Sequence, residues 1–135
     1  MNDPDAMADG EHKKKMARVF SGAELCENFM GNMGLLNSIL ARFIKRTECQ
    51  IAEIPVLAEK GDWESSVREA HTIKGSARSL SALDLGDTAM RWEEDCRQRD
   101  AAAVRARHSD VVEAFALFKA AAEGFLSRQG EDKKE

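Results

Sequence analysis

In the segment Glu69-Ala70-His71-Thr72-Ile73-Lys74-Gly75-Ser76-Ala77, an imidazole is followed three residues later by an ammonium and four residues later by a glycine. A free imidazole is substantially neutral near pH 7, so it offers a nitrogen lone pair without a dedicated base. Lys74 can offset charge on a phosphoryl group in transfer, and Arg78 can add a second cation or dock on an acidic partner. Inside a helix glycine costs roughly 1 kcal/mol relative to alanine, so Gly75 calls for a reason. Close approach by another backbone is one, and tight packing against a neighbouring helix is the other. These types and spacings suit phosphoryl chemistry at His71, although a lone histidine on a helix is most often an ordinary surface group.

The element that must carry these residues opens at Asp62, a good N-cap after Gly61, and places Trp63, Ser66, Ala70, Ile73, Ala77 and Leu80 on one face. At 100° per residue, His71 points about 130° away from the centre of that face. Gly75 and Arg78 fall on its side, and Lys74 lies nearer the core boundary.

Four further helices are predicted around this one. Ser21-Gly22-Ala23-Glu24 fits a capping box, with Phe20 and Leu25 at staple positions, and starts a short helix interrupted by Gly31 and Gly34. Leu36, Leu40, Phe43, Thr47, Ile51, Ile54 and Ala58 form the stripe of a long helix that Pro55 should kink or end early. Leu85, Ala89, Trp92 and Cys96 mark another, with Arg91 and Asp95 spaced to pair. A last helix from about Ala101 to Ser127 carries Val104, His108, Val111, Phe115, Phe118, Ala122 and Phe125. No alternating strand pattern occurs. The expected fold is all-α: an antiparallel up-and-down four-helix bundle whose short first helix caps one end.

The chain has 135 residues, 43% hydrophobic and 33% charged, which suits one folded unit. Residues 1–18 and 129–135 read as polar tails flanking a domain at 19–128. A net charge of −4 disfavours nucleic acid. No apolar run reaches the roughly 20 residues of a membrane span and no leader is evident at Met1, so a cytoplasmic setting is expected. Cys26, Cys49 and Cys96 lack metal-ligand spacing and are expected as buried free thiols. A di-metal site would need paired Glu-x-x-His motifs, yet Asp9, Arg68 and Arg105 stand three residues before His12, His71 and His108. His108 sits in an apolar stripe and is expected as a packing residue, partly buried and hydrogen-bonded. No nucleotide-binding glycine motif is present, so no ATP-dependent kinase activity is expected.

The string Ala70-His71-Thr72-Ile73-Lys74-Gly75-Ser76-Ala77 resembles the signature of histidine phosphotransfer (HPt) domains of two-component phosphorelays. Gly61-Asp62-Trp63 resembles the family's turn before the active helix, and Ala82, Leu83, Ala89 and Glu93 resemble its next helix, so the similarity covers about residues 20 to 98. The resemblance implies that His71 accepts the phosphoryl group, Lys74 supports its charge and Gly75 keeps the approach open. Val67 and Arg78 are candidate docking residues. Arg78 and Ser81 depart from positions where the family often carries glycine. The implied partners are receiver domains of a hybrid histidine kinase or a response regulator, with any Mg²⁺ on the receiver, no cofactor or metal on this chain, and a monomeric state. The rival reading is a helical bundle that binds a receiver or another partner without taking phosphate.

Overall fold

The computed structural model describes residues 4–132, with side chains placed from residue 10 to residue 128. Among the described residues there are six helices and no strand: α1 (Pro4–Val19), α2 (Gly22–Asn28), α3 (Met33–Glu59), α4 (Trp63–Ser79), α5 (Leu83–Arg97) and α6 (Ala101–Asp132). The expected all-α class is what the chain adopts.

Local signals set the boundaries. Side-chain oxygens of Ser21, Asn32, Asp62 and Asp100 accept the backbone N–H three residues on, at 3.0–3.3 Å, which occupies donors that a helix start leaves free. The ends of α2, α3, α4 and α5 share one device. A residue in the left-handed region (Met30, Gly61, Ser81 or Arg99) turns the chain, and the next N–H returns to a carbonyl five residues back. Of these four residues only Gly61 is a glycine, the residue type that takes this conformation without strain.

The predicted stripes are the observed core. Leu36, Leu40, Phe43, Thr47, Ile51, Ile54 and Ala58 of α3 are buried, as are Ser66, Ala70, Ile73 and Ala77 of α4 and Leu85, Ala89, Trp92 and Cys96 of α5. From α6 come Val104, Val111, Phe115, Phe118, Ala122 and Phe125. Helix α3 packs against α4 and α6, and α5 packs against the same two. Phe118 gathers Phe20 and Phe43 edge-on, with ring centroids 5.6 and 5.3 Å away.

Several expectations are corrected. The expected polar N-terminal tail is helical over residues 4–19. Good helix formers such as Glu11 and Lys13 to Lys15 favour it in the absence of an apolar stripe, and the helix is anchored at its end by buried Val19 and by Arg18, which bonds Asp84 (2.9 Å) and Asp87 on α5. Helix α6 runs to Asp132, past the expected boundary at 129; residues 1–3 and 133–135 of the two expected tails lie outside the described residues. Helix α3 continues through Pro55 to Glu59, because burial of Ile54 and Ala58 around the proline outweighs one missing N–H bond. Asp95 pairs with Arg107 of α6 instead of Arg91, since the neighbouring helix brings a guanidinium to both carboxylate oxygens. Of the three free cysteines only Cys96 is buried; Cys26 is half-buried and Cys49, next to Thr47 but on the outer side of α3, is exposed. His108 is half-buried as expected, with the Trp92 ring centroid 6.0 Å away, but its side chain makes no hydrogen bond among the described residues.

Candidate functional site

Burial of Ala70 and Ile73 fixes the rotation of α4 and turns His71 outward, leaving 61% of its side chain exposed. The ring is not free at both nitrogens. Nδ1 lies 3.1 Å from Oε1 of Glu93 on α5, and Lys74 Nζ lies 3.0 Å from the same oxygen. Arg97 closes the cluster by donating through Nε and Nη2 to Glu93 Oε2 at 3.1 and 2.8 Å. Glu93 itself is only 8% exposed. Burial pushes its carboxyl up, but hydrogen bonds from Arg97, Lys74 and His71 outweigh that and hold its pKa at about 2.

An ionised carboxylate only accepts hydrogen bonds, so His71 Nδ1 must carry the proton that reaches Glu93. The lone pair then resides on Nε2, on the exposed side of the ring. Glu93 thus selects the tautomer and orients the imidazole, as a carboxylate does for a catalytic or metal-binding histidine.

Beside His71 runs a groove of about 650 Å³ between α3 and α4. Its floor is apolar, from Phe29, Ile39 and Phe43, and Arg42 and Arg46 stand along the α3 wall. Gly75 and Ser76 continue the α4 wall beyond His71. A Cβ on Gly75 would meet nothing within 4 Å, so this glycine does not serve helix packing. It leaves an open stretch of backbone next to the imidazole.

The other predicted positions lie elsewhere. Arg78 is folded over α5: its Nη2 sits 3.4 Å from Met90 Sδ and 3.7 Å from Asp87 Oδ1. Gly86 makes the room, since a Cβ there would come within 2.9 Å of Arg78 Cγ. Val67, one turn before His71, is half-buried in a separate recess with Trp63, Cys96 and Arg97. Lys74 is close to His71, but its ammonium is engaged by Glu93 and only 19% exposed.

Sequence reasoning missed Glu93 as part of the site. The available signal was a carboxylate directly after core Trp92 with Arg97 one turn on, because a buried charge requires cations around it. It also missed Arg42 and Arg46, which belong to a different helix from the motif. Among the described residues no group of three or more His, Cys, Asp or Glu side chains could hold a metal ion, and no helix is long and apolar enough to cross a membrane.

No curated protein and no solved structure matches the chain. A family model does: that of the Hpt domain, over residues 38–124, which span α3 to α6 and include His71, Glu93 and both groove arginines. With well over half of its length covered, the chain belongs to the Hpt domain family.

Proposed function

We propose that this chain is a phosphorelay intermediate that accepts a phosphoryl group on His71 Nε2 from a receiver-domain aspartate and passes it to another receiver aspartate. Membership of the Hpt family implies a phosphorelay role in general and interaction with receiver domains. The observation that carries the specific reading is the Glu93 bond to Nδ1, which leaves an exposed Nε2 lone pair beside an open backbone. We read the mutual packing of α3 to α6 as an antiparallel up-and-down four-helix bundle, with α2 capping one end. We further propose a cytoplasmic monomer.

In the forward step Nε2 attacks the phosphorus of the aspartyl phosphate in line. An N–P bond forms, the P–O bond to the aspartate breaks, and the carboxylate leaves with the electron pair. The ring becomes positively charged with its proton still on Nδ1, where the Glu93 carboxylate stabilises it. Lys74 acts through Glu93, holding that carboxylate in place. Transfer to the next aspartate reverses the step, and any Mg²⁺ required sits on the receiver.

Incubation with a phosphorylated receiver domain tests this. Label should move to the wild-type chain and not to His71→Gln. If no phosphorylated receiver labels the chain, or if the variant is labelled equally, the relay through His71 is wrong and the rival reading of a phosphate-free binding module takes its place.

A further inference from the structure

From the groove beside His71, and resting on the proposed relay, we infer that Arg42 and Arg46, on the α3 side of the face where a receiver docks, select receivers carrying an acidic, apolar-centred surface next to their aspartate. The two flanks of His71 are chemically different. On the α5 side, Glu93 is shared by His71, Lys74 and Arg97, and in a second cluster Asp87 is shared by Arg18 and Arg78. Those charges already have partners. On the α3 side, the groove wall carries two arginines and no carboxylate. Both arginines are exposed, and neither makes an ion pair among the described residues.

The patch has an order along its length. Leu35, Ile39, Arg42 and Arg46 recur at steps of four, three and four, so on a helix they fall within about 60° of one another. Leu35 is 49% exposed and Ile39 half-buried, giving an apolar end toward α2. The two cations follow along the helix and line the same groove as His71 and Gly75. These two cations stand on a chain whose net charge is −4. A partner that delivers an aspartyl phosphate brings negative charge to the same place, and attraction between such patches steers encounter and fixes register. Arg42 and Arg46 would take the docking role for which Arg78 and Val67 were the candidates.

The test uses the full chain and a receiver domain that binds it, with dissociation constants measured at about 50 and 500 mM salt. Arg42→Glu/Arg46→Glu should weaken binding by about tenfold or more at low salt and flatten the salt dependence. Arg91→Glu, a matched reversal on exposed α5 surface, should stay within about twofold of wild type, as expected for a charge outside the contact. Arg42→Gln/Arg46→Gln, the milder pair, should fall between wild type and the reversal, and serves if the reversal unfolds. Direct phosphorylation of His71 by phosphoramidate, which needs no docking, should proceed as in wild type for both double variants. Unchanged receiver binding in a folded double variant, an equal loss in Arg91→Glu, or loss of phosphoramidate labelling in the Gln pair each overturns the inference. Its failure is separable from that of the relay. A chain that relays normally with both arginines replaced refutes the docking surface alone, and a chain that binds through them yet never takes label refutes the relay alone.

Discussion

Removing the Glu93 carboxylate would separate the two things it does for His71, fixing the tautomer and supplying charge. In Glu93→Ala, Nδ1 loses its acceptor, so the proton should redistribute between the ring nitrogens, visible in ¹⁵N-detected imidazole spectra. Phosphoryl acceptance should slow by about tenfold or more. Glu93→Gln can still offer an oxygen to the Nδ1 proton and should lie between the two; equal rates for all three proteins would show that the contact has no part in transfer. Gly75 makes an opposite kind of prediction. Because a Cβ there meets nothing, Gly75→Ala should raise stability by up to about 1 kcal/mol in urea unfolding. Gly75→Gln should slow labelling by a receiver while leaving labelling by phosphoramidate intact. His71, Lys74 and Gly75 were legible because they share one helix at fixed spacing. Glu93 was not, since a periodicity within α4 carries no information about which α5 side chain will meet it, and the lattice that engages Lys74 and Arg78 is likewise built across helices.

At the scale of elements, the apolar stripes of α3 to α6 and the caps at Ser21 and Asp62 were readable because burial of one face dictates them. Helix α1 was not, as it has no apolar stripe and, among the described residues, is anchored near its end by Val19 and Arg18. Pro55 does not end α3 early, because the packing of Ile54 and Ala58 around it outweighs the local penalty. The helix ends offer a quantitative check. Arg99 is exposed and held at φ 54 where α5 gives way to α6. Arg99→Gly removes that strain and should stabilise the chain by roughly 0.5–1 kcal/mol after the entropy cost of glycine, measured as a shift in the urea midpoint with unchanged slope.

For the molecule as a whole, the Glu93 cluster links the site to acid stability. The carboxyl titrates near 4.5 when unperturbed and at about 2 in the fold. Its stabilisation is therefore fully present above about pH 4.5 and is lost as pH falls toward 2, a contribution on the order of 3 kcal/mol. Urea unfolding between neutral pH and about pH 2.5 should show wild type losing stability steeply over that interval. Glu93→Gln should be less stable at neutral pH and flatter in acid, and parallel curves would contradict the assignment. The proposed relay places the phosphoryl group on one nitrogen of one residue, Nε2 of His71. Trypsin should release Glu69-Ala70-His71-Thr72-Ile73-Lys74, which holds a single histidine beside a single hydroxyl. After exposure to a phosphorylated receiver, this peptide should carry phosphate that is acid-labile and base-stable, with a ³¹P resonance of Nε2-phosphohistidine. Acid-stable phosphate on Thr72, phosphate on Nδ1, or a peptide without phosphate would contradict the account.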